Sequence, residues 1–436
     1  MLDIKLIREN PELVKTNTKN RGYDILLVEK IIELDKKWRG YKTEDDMLRG
    51  QRNKISESIN QAKKKKDEET AQKAILESKK VGEKLTQNEI EENKLRAEMD
   101  DLLARIPNIQ HQDNPVGDAD KNKEVKKWGE IKKLKIAKGH LELMEALDII
   151  DIKRATKISG AGFYILKGKG AKLQRALIQY MLDLHEKNGF VEINSPQLVL
   201  KKTAFGTGNL PKFEDQLYKT NDDLILVPTA EVPVTNIYAD EIVNEKDLPY
   251  KFCAFTECYR TEAGRKTGEE GLFRLHQFEK VEMVYLSKPE DSYKMLEEMT
   301  GYAEKILENL ELPYRRLLLA TMDAGFSSAK TYDIEIWAPG IGRYLETSSC
   351  SNCTDFQARR MNCRYQGKDG LNIIHTLNGS GLALPRLMIA LIETNQQEDG
   401  SIKIPKVLWP YTGFKEIKKE SPKEEKVEKK EIKKKK

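Results

Sequence analysis

The chain contains no apolar run of membrane-spanning length, and its first ten residues, MLDIKLIREN, are charged where a secretory leader would be apolar. Both absences argue against a helical membrane protein or a secreted one, and the cytoplasm is the expected compartment. Cysteine is scarce and odd in number, five in 436 residues, which argues against a disulfide framework. Cys350 and Cys353 form a C-x-x-C, but no second pair follows at finger spacing. Cys363 and His375 could complete a tetrad only through the fold, so buried thiols are the expected reading and zinc the alternative. Neither a G-x-x-x-x-G-K-[ST] loop nor a G-x-G-x-x-G occurs. A nucleotide would therefore be held by side chains rather than by a glycine-lined phosphate loop. An excess of one charge is missing as well. The formal +5 resides in 415–436, with eleven Lys and six Glu, and the remaining body is neutral. Any surface for nucleic acid must come from the distribution of charge, not its sum.

The first long pattern is a heptad. Ile31, Leu34, Trp38, Tyr41, Asp45, Leu48, Arg52, Ile55, Ile59 and Ala62 follow alternating steps of three and four. After a polar run at 63–69 the pattern resumes through Ala74, Ser78, Val81, Leu85, Asn88, Glu92, Leu95, Met99, Leu102 and Ile106. Two helices joined at a polar tip make an antiparallel coiled-coil hairpin, roughly 50 Å long at 1.5 Å per residue. A short helix precedes it around 4–10. Lysines 63–66 at the tip offer phosphate contacts, but Asp67, Glu68 and Glu69 sit beside them. By residue pattern alone the arm is equally a solvated spacer or dimerisation arm. Residues 107–140 are polar and turn-rich and read as a linker, with His111 an inert loop histidine.

From 140 onward the pattern is α/β. Leu173, Leu177, Met181 and Leu184 repeat at helical spacing up to Asn188-Gly189, and His185 is expected to complement the end of that helix. GFVEINSPQLV reads as a strand broken by Pro196. Residues 225–240 read as a strand, a turn at Thr229-Ala230-Glu231 and a helix. The stretch CYRTEAGRKTGEEGLFRLHQFEKVE, 258–282, reads as strand, loop, strand. An amphipathic helix at 289–310 and further strands follow, with Asp333 and Glu335 sharing one face. Residues 382–393 form a largely apolar helix that carries Arg386. Hairpin-joined strands with segregated helices indicate an antiparallel α+β domain, not a doubly wound parallel sheet.

Three constellations carry chemistry. The hairpin holds Arg260, Glu262, Arg274, His276, Phe278 and Glu282; the arginines suit phosphate oxygens and the aromatic suits a base, while surface ion pairs are the plainer reading. Glu346 with Ser348 and Ser349 could hold a divalent metal bridging phosphates, or could be a satisfied turn. Asn378-Gly379-Ser380-Gly381 leads into the helix of Arg386, whose burial demands an anionic partner, either Glu346 or a bound phosphate.

Taken in order, these segments resemble the seryl-tRNA synthetases, a family of class II aminoacyl-tRNA synthetases. GFVEINSPQLV resembles the class's first motif, the 258–282 stretch its second, and GSGLALPRLMIA its third. The opening MLDIKLIREN, the long arm, VPTAE, ETSSCSN and QQEDGSIKIPKVLWPY resemble the seryl enzymes in particular. The resemblance implies a class II antiparallel catalytic sheet flanked by helices at 141–414, a tRNA-binding domain with a coiled-coil arm at 1–106, a linker at 107–140 and a disordered Lys/Glu tail at 415–436. It implies a ligase that converts L-serine and ATP to seryl-adenylate and loads tRNA(Ser), and tRNA(Sec) where that exists, as a homodimer with Pro196 at the interface.

The resemblance also assigns residues. Arg260 would contact the α-phosphate and the serine carboxylate, Glu262 the adenine, and Phe278 would stack on it. Arg274 and Arg386 would hold the γ-phosphate; Glu346 and Ser349 would serve Mg²⁺ and the α-phosphate. Thr261, Thr347 and Ser348 complete the ATP set. Thr229, Ala230, Glu231, Glu282, Asn378 and Ser380 would form the serine pocket. Arg260, Arg386 and Glu346 would carry catalysis by positioning and charge neutralisation. Two features depart from the family pattern: the 265–270 loop, RKTGEE, is one residue short, and the tail has no counterpart. The tail reads as a solubilising end, with weak tRNA affinity as the alternative. The rival function is an inactive paralogue that binds RNA or acts as a scaffold.

Overall fold

In the computed structural model, residues 1–132, 134–135, 137–262 and 271–419 are described. The expected short loop at 265–270 and the tail beyond 419 lie outside them. The chain opens with α1 (Ile4–Glu9), whose first turn is capped by Asp3 accepting from the Lys5 amide, and α2 (Pro11–Asn20), which has proline at its start. The arm follows as α3 (Leu26–Lys64) and α4 (Glu68–Leu103). These helices run further into the polar tip than the heptad pattern implies. Asp67 explains why: its carboxylate accepts from the Thr70 amide at 3.1 Å, and Glu68 and Glu69 follow in the positive first turn of α4.

The seam between the arm helices is apolar near the tip, where Ile55, Ala74 and Val81 are buried against Leu48, Ile59 and Leu85. Midway it turns polar. Buried Asn88 donates to Asp45 at 2.9 Å and to Glu44 at 3.0 Å, and Lys42 pairs with Glu92. Three of the polar heptad positions, Asp45, Asn88 and Glu92, are therefore paired across the seam, which disfavours any register that leaves them unpaired. At its base the arm is welded to the rest of the chain: Ile7, Val14, Ile31, Met99 and Ile106 share one core with Phe326 and Phe356.

The larger part is built on an eight-stranded sheet. In chain order its strands are β1 (Lys123–Trp128), β2 (Val191–Glu192), β3 (Tyr250–Tyr259), β4 (Gln277–Ser287), β5 (Tyr314–Leu318), β6 (Lys330–Ala338), β7 (Arg343–Asn352) and β8 (His375–Ala383). They lie in the order β1-β5-β6-β7-β8-β4-β3-β2, every pair antiparallel except β2 with β3. The antiparallel α+β expectation holds. β1 falls inside the stretch expected to be linker. Its sequence, KEVKKW, is nearly all exposed, the charged character that keeps an edge strand from pairing further, so it lacks an apolar alternation to betray it.

One face of the sheet is covered by α5 (Lys169–Lys187), α6 (Ser292–Asn309) and α7 (Leu384–Thr394), and Leu173, Leu177, Met181, Leu296, Met299, Leu387 and Leu391 bury there. β4 shows how the two faces divide. Val281, Met283 and Tyr285 enter this core, and Phe278, Lys280 and Glu282 point the other way, as a period of two requires. His185 does not complement the end of α5. It is fully buried beside Phe190, and burial pulls its pKa down to about 4, so it is neutral and contributes no charge to the helix dipole. The end of the described chain is also ordered: Glu416–Ile417 pairs with Ile402–Lys403, and Ile417 is buried in the main core. All five cysteines are free and buried.

Candidate active site

The uncovered face of the sheet carries two adjoining cavities. One, of about 320 Å³, is lined by Arg260, Glu262, Arg274, Phe278, Glu346, Thr347, Ser348, Ser349 and Arg386. The other, of about 360 Å³, is lined by Thr229, Glu231, Glu282, Cys353 and Asn378. Arg260, Lys280, Glu346, Ser349 and Ser380 line both, so these five form the wall where the cavities meet.

Most of the expected residues arrive here by strand alternation. Phe278 and Glu282 sit on one face of β4, and Asn378 and Ser380 on one face of β8. Ser380 lies directly across from Glu282. Glu346 and Ser349 are three apart and would face opposite sides of a regular strand. A bulge between Glu346 and Ser348 inserts the extra residue that brings both to the same wall. The Ser348 hydroxyl donates to the Ser380 carbonyl at 2.6 Å, tying the two strands together beneath the wall.

Arg260 follows β3 directly. Its guanidinium lies over the Phe278 ring, 5.1 Å from the centroid, and its Nε donates to the Pro228 carbonyl at 3.4 Å. His276 supports it from behind: Nδ1 lies 3.1 Å from the Arg260 carbonyl and 3.1 Å from the Tyr218 hydroxyl, and the ring stacks on Phe163. Glu262 adopts φ 52°, a costly conformation for a residue with a side chain and one that turns the chain sharply at the cavity rim. Arg386 finds its anionic partner in Glu346, donating to its carbonyl at 2.7 Å with the carboxylate at 3.3 Å. The expected burial is not found: the Arg386 side chain is 33% exposed, so Glu346 partners it while leaving the guanidinium open to the cavity.

Two expected residues line neither cavity with their side chains. The Thr261 hydroxyl donates to the Asp215 carbonyl at 2.7 Å, and the methyl of Ala230 is buried with Val234, Phe252 and Val284. Three residues that the sequence did not assign to the site bear on it. Lys280 stands between Phe278 and Glu282 on the same face, only 7% exposed, with its ammonium 2.5 Å from the Glu282 carboxylate. Alternation alone could have found it. Asp333 faces Ser349 from the neighbouring strand, and burial together with nearby Glu346 raises its pKa well above the usual carboxylate range, against the hydrogen bond from Ser349. Gln357, on the helix Phe356–Met361, donates to Glu231 at 2.7 Å, and no local pattern marks it.

The second cavity is a carboxylate pocket. Glu282 is 1% exposed and accepts from the Thr229 hydroxyl at 3.1 Å as well as from Lys280. Burial, and then the charge of Glu282, push Glu231 up to about 7, opposed by Gln357, Lys280 and Arg260. Two carboxylates and hydroxyls lining a small polar space suit a ligand with an ammonium and a hydroxyl. The first cavity, with three arginines, an aromatic ring and oxygen ligands, suits a polyphosphate and a base. Among the described residues no three His, Cys, Asp or Glu side chains are grouped for a metal. The oxygen donors of Glu346 and Ser349 fit a hard divalent cation that takes most of its ligands from phosphate and water.

A cavity suited to a polyphosphate on an antiparallel sheet, sharing a wall with an amino-acid-sized pocket, fits the core of a class II tRNA synthetase, and residues 212–395 match the family described as tRNA synthetase class II core domain (G, H, P, S and T). Residues 1–110 match the Seryl-tRNA synthetase N-terminal domain. The serine–tRNA ligase of Thermotoga neapolitana is 48% identical over 96% of this chain and 100% of its own length. A seryl-tRNA synthetase from Pyrococcus horikoshii, complexed with ATP, superposes with a TM-score of 0.92 at 39% identity over 97% of this chain and 100% of its own. The cytoplasmic serine–tRNA ligase of Naegleria fowleri, in complex with AMP, superposes with a TM-score of 0.87 at 30% identity, covering 97% and 99% of the two chains. The chain belongs to the seryl-tRNA synthetase family.

Proposed function

We propose that the protein is a serine–tRNA ligase that forms seryl-adenylate from L-serine and ATP in the joined cavities and then passes serine to tRNA(Ser). The shared wall carries this reading: Arg260 stands where an amino-acid carboxylate in one cavity would meet an α-phosphate in the other. The serine carboxylate attacks the α-phosphorus, the bond to the β-phosphate breaks, and pyrophosphate leaves; no side chain is needed as a nucleophile. Arg260 neutralises charge that develops at the α-phosphate, and Arg274 and Arg386 take the terminal phosphates. Phe278 stacks on the adenine once Arg260 swings to the phosphate, and Glu262 reads the base edge. Glu346 and Ser349 would hold Mg²⁺, which when bound offsets phosphate charge. Thr347 and Ser348 support that strand, and Thr261 and Ala230 act through their backbone.

Glu231 takes the serine ammonium, and Glu282, Thr229, Asn378 and Ser380 surround the hydroxyl. An analogue without the hydroxyl leaves these buried groups unpaired, which disfavours alanine. The coiled-coil arm of the 1–106 domain holds the tRNA by backbone and shape, consistent with its mixed charge, and tRNA(Sec) fits the same mode where it occurs. The chain works as a cytoplasmic homodimer: Val191, Leu198, Leu200 and Ile242 lie exposed around the Pro196 segment, an apolar surface suited to a second copy. No described helix is long and apolar enough to cross a membrane. The inactive-paralogue reading fits poorly, since Arg260, Arg386, Glu231, Glu282 and Glu346 all line the cavities.

The test is amino-acid-dependent ATP–pyrophosphate exchange without tRNA, using serine, threonine, alanine, glycine and proline. Exchange with serine alone is expected. Silence with all five would overturn the adenylate chemistry.

A further inference from the structure

Gln357 lies outside both cavities and is fully buried. Its carboxamide is held on three sides. Oε1 accepts from the Thr376 hydroxyl at 2.6 Å, while Nε2 donates to Glu231 Oε1 at 2.7 Å and to the Thr207 carbonyl at 3.1 Å. Turning the amide over would set Oε1 against a carboxylate and a carbonyl, acceptor against acceptor, so its orientation is fixed. Buried amide N–H groups are not spent on a carboxylate without consequence: a donor favours the ionised form.

Within the pocket Glu282 is already engaged by Lys280 and Thr229, so the charge for an incoming ammonium falls to Glu231. The groups that face Glu231 are Glu282, which opposes its ionisation, Lys280 and Arg260, which favour it, and the buried thiol of Cys353. We propose that Gln357 is a positioning residue for ammonium recognition, holding the Glu231 carboxylate aimed and ionised for the α-amino group of serine. This rests on the reading of the Thr229–Glu231–Glu282 cavity as the amino-acid pocket.

The raised pKa of Glu231, about 7, supports the idea, because Gln357 is the first influence that lowers it. Losing the donor moves that pKa further up, and the acid limb of kcat/KM for serine moves with it to higher pH. A merely structural role would lower kcat and raise the serine KM and the ATP KM together, without moving the limb.

The experiment measures serine-dependent exchange across pH 6–9 in the full-length protein, comparing Gln357→Leu, Thr376→Val and Glu231→Gln with the parent. Gln357→Leu should raise the serine KM about tenfold at pH 7, leave kcat and the ATP KM within about twofold, and shift the acid limb alkaline. Thr376→Val, which removes the hydroxyl that anchors Oε1 and so loosens the carboxamide, should move both in the same direction by less. An unchanged serine KM and pH profile in folded Gln357→Leu overturns the proposal. If that variant does not fold, Thr376→Val decides by the same criterion. Should Glu231→Gln raise the serine KM while Gln357→Leu does not, the positioning role alone fails. Should Glu231→Gln also leave it unchanged, the pocket assignment fails with it.

Discussion

Lys280 offers the sharpest test of the proposed serine pocket. Its ammonium lies 2.5 Å from a carboxylate oxygen of Glu282, and the two residues are 7% and 1% exposed. Lys280→Met keeps the length of the side chain and removes the charge, leaving Glu282 with the Thr229 hydroxyl alone. Removing one partner of a buried pair costs about 3–5 kcal/mol, because the other charge stays buried. The pocket is open to water before serine binds, which places the expected effect near the lower end. If the cost falls on the serine complex, kcat/KM for serine in ATP–pyrophosphate exchange drops by about 100-fold at 1.4 kcal/mol per factor of ten. The decisive readout is a double-mutant cycle with Glu282→Gln. The double variant should be no worse than Lys280→Met alone, giving a coupling well above 1 kcal/mol. A folded Lys280→Met with kcat/KM within threefold of the parent, or additive losses in the cycle, would refute the reasoning.

Other outcomes follow from the same structure. The Glu231 pKa is raised from the ordinary carboxylate value of 4.5 to about 7, so the unfolded chain ionises first and the folded state loses stability as pH rises from about 4.5 to about 7. Glu231→Gln should therefore raise Tm at pH 8, with the gain shrinking toward pH 4.5; a lower Tm at pH 8 would contradict the assignment. Deleting 35–98 should leave serine-dependent exchange intact and abolish charging of tRNA(Ser) in an aminoacylation assay, and surviving charging would remove the arm's role. Truncation after Lys419 should leave Tm unchanged, whereas truncation after Phe414 removes buried Ile417 and should cost about 2 kcal/mol in denaturant unfolding. Equal stability of the two truncations would show that the Glu416–Ile417 strand contributes nothing.

The fold was legible where one period dominated a long stretch. Steps of three and four over 31–62 and 74–106 predict the arm, and the helices occupy it. Period two in FEKVEMVYL predicts β4, and the site residues Phe278 and Glu282 come with it. Strand β1 was not legible, because an exposed edge strand has no buried face to write a pattern. The order of residues after Phe414 was hidden by composition: a Lys/Glu-rich segment still places one isoleucine in the core. His185 was misread as a charged helix end because sequence spacing does not report burial, and burial is what keeps it neutral.

By itself the sequence determined the arm, the antiparallel domain and a set of side chains suited to chemistry on phosphates and amino acids. Those follow from local periodicity and residue type, which travel with the chain. The tertiary structure alone decided which of those side chains meet. It set Arg386 on Glu346 across 40 positions, and Gln357 on Glu231 across 126. It used a one-residue bulge to bring Glu346 and Ser349 to one wall, and it turned Thr261 and Ala230 away from the cavities. Contacts between distant segments depend on strand order, register and burial, and these are properties of the packed sheet that no local pattern encodes.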